Sequence, residues 1–414
     1  MKKLLKKEWM IIILFIFTFI AIRSINFQHH LNFSSDQASS SMRIYDLWEK
    51  KELTLIGPSI SFKYIGRELF TSSISYYYQL FFLLISNFSP IVGSYVFMIF
   101  SAFMLFPLYY GVKFLINKPA AIILLIIYTL LPYYIDYTRF FWNPNFQLTL
   151  TPILIFFIGI YNKKNKNTHL FLLAFTAGLL MLFHYQYAVI VIGLLLFYIL
   201  IKKIRINKIL IFFAGFILGF LPLIVFEIRN NFYNFQTLSL YIKNIDKVFS
   251  TGNNIFSSHY FLSIYLFVLI TVINLVKKHI TNKRIFYLIT VLLIIDLFIY
   301  ARIPKHAFGM TDNWNYLYEE KVYKIIRNEN ITNYNIVNLE YDTVAAVQKY
   351  LHKKDKIKFN YEDYYNNKYL FVISKDDNFM QNPAYEINTF KPSRVVKNWN
   401  INNIYKLYLL KRLN

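Results

Sequence analysis

Apolar runs long enough to cross a bilayer recur from Trp9 to Ala301, separated by short loops that are rich in lysine and arginine and poor in carboxylates. A helix that spans the hydrocarbon core needs roughly 17–25 apolar residues. The runs fall at about 9–27, 92–112, 119–136, 147–161, 168–183, 187–201, 209–227, 259–276 and 285–301. Composition agrees, with 56% hydrophobic, 20% aromatic and 16% charged residues, against about 25% charged in a soluble domain. The expected fold class is a polytopic α-helical membrane protein of about nine transmembrane helices. Met1-Lys2-Lys3 ahead of the first run has the look of a secretory signal. That run ends in Arg23-Ser24-Ile25 without a small-residue cleavage pattern, so it reads as a retained span.

A net charge of +23 raises the question of nucleic acid, and its distribution answers it. Residues 1–302 hold 28 Lys and Arg against 10 Asp and Glu. The cations gather between spans: Lys2, Lys3, Lys6 and Lys7; Lys113 and Lys118; Lys163, Lys164 and Lys166; Lys202, Lys203, Arg205 and Lys208; Lys277, Lys278, Lys283 and Arg284. Counting nine crossings from a cytoplasmic N-terminus puts every cluster on the cytoplasmic side, as the positive-inside rule requires. The C-terminus then lies outside. No Cys occurs, which excludes disulfides and thiolate metal sites.

Residues 74–88 do not fit this count as a span. They read as an interfacial helix with Tyr76, Tyr77 and Tyr78 at the headgroup level. The first outer loop then covers about residues 28–91. Within it, residues 36–50 read as a helix capped by Ser34 or Ser35, with Ala38, Met42, Tyr45 and Trp48 at three- and four-residue spacing. After Arg302-Ile303-Pro304 the composition changes to 17 Lys and Arg, 12 Asp and Glu, and many Asn and Tyr. Strand-like runs at Asn335–Leu339, Tyr369–Ser374 and Ile404–Leu410, with helical patterns at Val322–Asn328 and Thr343–Leu351, predict a small extracytoplasmic α/β domain. The expected division is therefore a transmembrane domain over 1–302 and an α/β domain over 303–414.

Asp36 is the residue with the most pointed chemistry. A carboxylate at a membrane surface, in a region this poor in acids, is a candidate catalytic base; the competing reading is a helix N-terminal charge favoured by the dipole. Arg139 is the sole cation of its short outer loop and adjoins Asn143 and Asn145. Phosphate or sugar contact and interfacial snorkelling both fit it, and Asp136 is placed to pair with it. His184 lies at a span boundary. Glu227 and Arg229 close the seventh span, and Arg43, Lys63 and Arg67 in the first loop are phosphate-binding candidates or solvated charges. Glu68 and His259 lie in outer loops without fixed ligand spacing, and His29-His30 is adjacent rather than four apart, so no metal site is expected from spacing.

Taken in order, these motifs resemble the GT-C class of integral-membrane glycosyltransferases, in the group of protein O-mannosyltransferases and the aminoarabinose transferase of lipid A. The residues that carry the resemblance are Asp36, Gly57-Pro58-Ser59-Ile60-Ser61, Tyr76-Tyr77-Tyr78, Tyr137-Thr138-Arg139-Phe140-Phe141-Trp142-Asn143-Pro144-Asn145, His184-Tyr185, Leu221-Pro222-Leu223, and Phe226-Glu227-Ile228-Arg229-Asn230. The resemblance covers residues 1–300. It implies transfer of a hexose or pentose, with inversion, from a polyprenyl-phosphate carrier to a glycolipid, protein or cell-envelope acceptor on the outer face. Asp36 would be the base, and Arg43, Arg67, Tyr77, Arg139, Asn143, Asn145, His184, Glu227 and Arg229 would bind substrate. Many such enzymes have Asp-Glu where this chain has Asp36-Gln37, and some hold a divalent metal, so a metal is an open cofactor here. The implied partners are the lipid-linked donor, membrane lipids and the acceptor, in a bacterial plasma membrane. The alternative is a transporter or lipid flippase. Asp296 is the lone central acid among the spans and no inverted repeat of broken helices is evident, which favours the enzyme. A scaffold that binds envelope polymer also predicts a less structured first loop than this one.

Overall fold

The computed structural model describes residues 2–64, 66–244, 261–277, 282–300, 305–358 and 363–413. It divides into two compact units. One comprises Met1–Ile25, Glu52–Ile85 and Ser94–Ala301, and the other Asn26–Lys51, Ser86–Gly93 and Arg302–Asn414.

The first unit is mostly helical. Among the described residues, three helices are long and apolar enough to cross a membrane: Pro90–Leu115, Asn143–Lys164 and Ile206–Arg229. Shorter apolar helices occupy Ile74–Ile85, Lys118–Leu130, Asn167–Met181, Tyr185–Ile201, Leu262–Leu275 and Tyr287–Ile299, and the chain opens with the helix Lys2–Ser24. In lipid, apolar side chains gain little by meeting each other, so helices associate through close backbone approach at small residues. That approach is visible here. A Cβ added at Gly215 would stand 2.5 Å from the Phe171 carbonyl oxygen, and one at Gly219 would strike the Phe175 carbonyl. From the other side, Gly178 abuts the Phe216 carbonyl. These glycines let the helices Asn167–Met181 and Ile206–Arg229 nest backbone to backbone. Gly111 and Gly159 do the same for Leu105–Leu115 and Asn143–Lys164, where a Cβ on Gly159 would come 2.5 Å from the Gly111 oxygen.

The first loop contributes an element that the sequence patterns did not reveal. β1 (Ile56–Tyr64) and β2 (Arg67–Ser72) form an antiparallel hairpin, turned at Gly66 with φ +69°. The Thr71 hydroxyl donates to the Pro58 carbonyl at 2.9 Å across it. The helix Ile74–Ile85 follows directly. Its Tyr78 does not sit as a headgroup anchor: the ring packs edge-on against Phe146 at 4.8 Å and Phe82 at 5.2 Å.

The second unit is built on a four-stranded sheet of order β3-β4-β6-β5, with β3 at Tyr334–Asn338, β4 at Tyr369–Ser374, β5 at Ser393–Asn400 and β6 at Lys406–Arg412. β3 and β4 pair in parallel and the other pairs are antiparallel. The strand-like runs read at 335–339, 369–374 and 404–410 correspond to β3, β4 and β6. β5 was not foreseen, because Arg394, Lys397, Asn398 and Asn400 break the apolar pattern. It is the mostly exposed edge strand, where such charges guard against pairing with other chains. Helices Tyr316–Asn328 and Ala346–Lys354 extend the predicted helical patterns and cover the sheet.

The segment Asn26–Lys51 belongs to this same unit. Its helix Ser35–Lys50 lies against Ala346–Lys354, held by a Lys353–Asp46 ion pair of 2.6 Å. The Phe33 ring meets Tyr316 at 5.7 Å and Tyr350 at 5.3 Å. Tyr350 in turn donates to the Phe88 carbonyl at 2.6 Å. Early and late parts of the sequence therefore share one core.

Candidate active site

Asp36 stands in the first turn of the helix Ser35–Lys50, which starts at the N-cap Ser34. The backbone N–H of Ser34 donates to Gln37 Oε1 at 3.1 Å, and the Ser34 hydroxyl donates to the same oxygen at 2.9 Å. The first of these bonds satisfies a backbone donor at the helix start that would otherwise be orphaned, and such caps are worth about 1 kcal/mol. It also accounts for Gln37: a neutral amide suffices for capping, and the side chain is engaged there. Gln37, Ala38, Ser41, Ile44, Tyr45 and Leu47 turn inward, whereas Asp36, Ser39 and Arg43 lie on the exposed face. Asp36 and Arg43 are two turns apart on that face, about 10 Å along the axis at 1.5 Å per residue.

Burial raises the Asp36 carboxyl above its usual range, and the Asp342 carboxylate adds repulsion in the same direction. Solvent nonetheless reaches the side chain, so a carboxylate in a crowded but open position describes it best. Asp342 was not singled out from the sequence, since nothing in linear spacing ties position 342 to position 36. Its own carboxylate accepts from the Ala346 N–H at 2.8 Å, fixing it at the start of the helix Ala346–Lys354.

The other sequence-predicted residues, apart from Arg43, belong to the first unit and form three groups. Around the hairpin, Arg67 Nη1 donates to Gln236 Oε1 at 3.4 Å, and its guanidinium lies 5.2 Å from the Tyr233 ring centroid. The Tyr241 hydroxyl donates to the Arg67 carbonyl at 2.8 Å. Tyr185 donates to the Phe70 carbonyl at 2.5 Å, and Asn234 Nδ2 donates to that carbonyl at 3.1 Å. Glu227 accepts from the Phe235 N–H at 3.3 Å, while its Oε1 is buried without a hydrogen-bond partner among the described residues. Arg229 is exposed nearby in sequence. The helix Tyr233–Lys243, which supplies Tyr233, Asn234, Gln236 and Tyr241, had no signal in the sequence patterns.

The second group surrounds the turn before Asn143–Lys164. Arg139 is buried, and its guanidinium donates to the carbonyls of Arg23 at 3.1 Å, Ile25 at 3.3 Å and Ile22 at 3.4 Å. Asp136 pairs with it at 3.8 Å, as its spacing suggested. Arg139 thus clamps carbonyls left open at the end of the first helix, where a cation is favoured. Asn145 Nδ2 donates to the Phe140 carbonyl at 2.8 Å, and its buried Oδ1 has no hydrogen-bond partner among the described residues. Asn143 begins the helix and is half-buried. Gln147, which sequence reasoning passed over, donates to the carbonyls of His184 at 2.7 Å and Leu180 at 3.0 Å, so it ties buried His184 to this turn.

The third group is Tyr77 alone. Its hydroxyl donates to the Thr54 carbonyl at 2.9 Å and accepts the Thr54 N–H at 2.8 Å, stapling the chain ahead of the hairpin. Among the described residues no three His, Asp or Glu side chains gather as a metal site, and Glu68 joins none. His259 lies outside the described residues.

Comparison with known proteins adds two findings. Residues 73–226, a little over a third of the chain, match the family of dolichyl-phosphate-mannose-protein mannosyltransferases. The fold is similar to that of the Archaeoglobus fulgidus oligosaccharyltransferase, solved as a complex with Zn and sulfate. That likeness has a TM-score of 0.52 at 10% identity and covers 89% of this chain and 68% of the archaeal one. No curated protein matches the chain in sequence.

Proposed function

Starting from a membrane glycosyltransferase of the GT-C type, we propose that this chain moves a sugar from a polyprenyl-phosphate carrier to an acceptor hydroxyl, with inversion at the anomeric carbon. The acceptor is a glycolipid, a protein or an envelope polymer. Asp36 takes the hydroxyl proton as the acceptor oxygen bonds to the anomeric carbon. The bond between that carbon and the carrier's phosphate oxygen breaks, and the electron pair leaves with the lipid phosphate. Inversion needs no covalent nucleophile, so one base and one group to meet the departing anion are sufficient.

The observation that carries this reading is the open helix face that presents Asp36 and Arg43 together, with the capping work handed to Ser34 and Gln37. A carboxyl raised above its usual range is a stronger base near neutral pH. Arg43 is free to meet the carrier phosphate, and Arg67, half-buried on its hairpin, is a second candidate for that anion. Asn143, Asn145, His184, Glu227 and Arg229 are proposed to shape the sugar site. Arg139 and Tyr77, engaged with backbone, are better read as positioning residues. The described carboxylates and imidazoles do not group as a metal site, so no step is routed through a metal. The surrounding proposal is nine spans in a bacterial plasma membrane, with a cytoplasmic N-terminus and residues 303–414 outside as a domain that helps receive the acceptor.

The test is mass spectrometry of polyprenyl-phosphate sugars in host cells carrying the wild-type chain or Asp36→Asn. One lipid-linked sugar should accumulate in the variant by about a hundredfold loss of turnover, the lower range for removing a general base. Equal pools with both proteins folded and present would overturn Asp36 as the base.

A further inference from the structure

A second polar site lies far along the sequence from Asp36, at the ends of three helices in the first unit. A cleft of about 640 Å³ opens where Asn143–Lys164 ends, Tyr185–Ile201 ends and Ile206–Arg229 begins. Lys202, Lys203, Arg205 and Lys208 line it, together with Asn165 and Tyr161. Lys208 Nζ donates to Asn165 Oδ1 at 2.5 Å and lies 5.6 Å from the Tyr161 ring centroid. None of the four cations forms an ion pair among the described residues, and the sequence has no carboxylate between Asp136 and Glu227.

Two independent features aim this charge at a ligand. The Tyr161 hydroxyl is buried in the wall of the cleft and has no hydrogen-bond partner among the described residues. The helix Ile206–Arg229 starts at Arg205 without a side-chain cap; the Lys208 N–H closes back on the Arg205 carbonyl, which leaves the N–H groups of Ile206 and Asn207 for an anion, as helix N-termini favour. Beside the cleft, Leu200, Ile201, Ile206 and Leu210 are 64–70% exposed, an apolar flank suited to acyl chains. Four like charges without counter-ions repel one another, and a phosphate removes that repulsion while accepting several hydrogen bonds at once.

The geometry points to a binding site for the phosphate headgroup of an anionic lipid, with its tails against the Leu200–Leu210 flank. Basic pockets between membrane helices hold such headgroups by this combination of charge and apolar wall. Under the topology proposed above, the lipid belongs to the inner leaflet, and the cleft uses none of the residues proposed for the transfer. The site therefore does not depend on the transfer reaction, and its test stands apart from that of Asp36.

The experiment is native mass spectrometry of the full chain in detergent, incubated with palmitoyl-oleoyl phosphatidylglycerol, with the matching phosphatidylcholine, or with inorganic phosphate. The wild-type chain should retain phosphatidylglycerol and not phosphatidylcholine. Lys202→Gln/Lys203→Gln/Arg205→Gln should weaken retention by at least roughly tenfold, as expected for loss of several basic contacts to one headgroup. Lys2→Gln/Lys3→Gln/Lys6→Gln removes as much charge from a basic cluster far along the chain from the cleft and should leave retention unchanged. Equal loss in both triple variants would mean diffuse attraction and overturn the site. Phosphate retained in place of lipid would overturn the lipid and leave a soluble anion. If the first triple variant fails to fold, Lys203→Gln and Lys208→Gln, measured singly, replace it, and wild-type retention by both overturns the proposal.

Discussion

Asp36 holds its proton more tightly than an isolated aspartate for two separable reasons, burial first and the Asp342 charge second. Removing the second reason gives a signed prediction. In Asp342→Asn the like charge is gone, so the ionised form of Asp36 becomes easier to reach and its carboxyl titrates lower. If ionised Asp36 is the base, the acidic limb of the transfer rate against pH moves to lower pH. A limb that stays in place would mean that another group titrates there. Because Asp342 also accepts the Ala346 N–H, Asp342→Asn retains that acceptor, and melting temperature checks that the helix start survives. At this scale the sequence marked Asp36 as a candidate and placed the helix start at Ser34 or Ser35, since both signals are local. It was silent on Asp342 and Asn234, whose roles depend on chain brought in from more than a hundred residues away. Arg139 teaches the converse: a conspicuous lone cation in the sequence turned out to be engaged by carbonyls of the first helix.

At the scale of elements, the pairing of Asn167–Met181 with Ile206–Arg229 depends on absent side chains. Gly219 faces the Phe175 carbonyl with no room for a Cβ. Gly219→Ile should therefore separate the helices and cost on the order of 3 kcal/mol, the upper range for overpacking. Gly193, which has nothing within 4 Å of an added Cβ, is the control: Gly193→Ile should leave stability near wild type. Thermal unfolding in detergent measures both, and equal melting temperatures for the two variants would refute backbone-to-backbone packing. The hairpin of β1 and β2 and the helix Tyr233–Lys243 escaped the sequence patterns for a related reason. Their hydrogen bonds run to each other, through Asn234, Tyr241 and Arg67, so neither needs the strong apolar period that marks an element standing alone.

For the whole molecule the decisive property is which chain ends lie on which side of the membrane. The basic clusters argue for nine crossings, and accessibility labelling tests it directly. A tag at residue 165 should be protected outside intact cells, and one at residue 310 should be labelled. Labelling of both from the same side would break the topology and with it the placement of Asp36 on the outer face. The lipid headgroup site at Lys202–Lys208 follows residue 165, so labelling of that tag from outside would move the site to the outer leaflet, and this measurement bears on both proposals.

Patterns along the amino-acid sequence were enough for the membrane class, the helical runs, a serine cap at Ser34 or Ser35 and the apolar strands β3, β4 and β6. Each rests on patterns within one turn, one pleat or one bilayer thickness, where hydrophobic transfer and local hydrogen bonding act along the chain. Packing in three dimensions was needed to bring Asn26–Lys51 into one unit with Arg302–Asn414, to set Arg139 against backbone carbonyls, and to bring Asp342 to bear on Asp36. Those outcomes depend on long-range packing and on charges felt through space, and the order of residues along a chain does not encode distance between its remote parts.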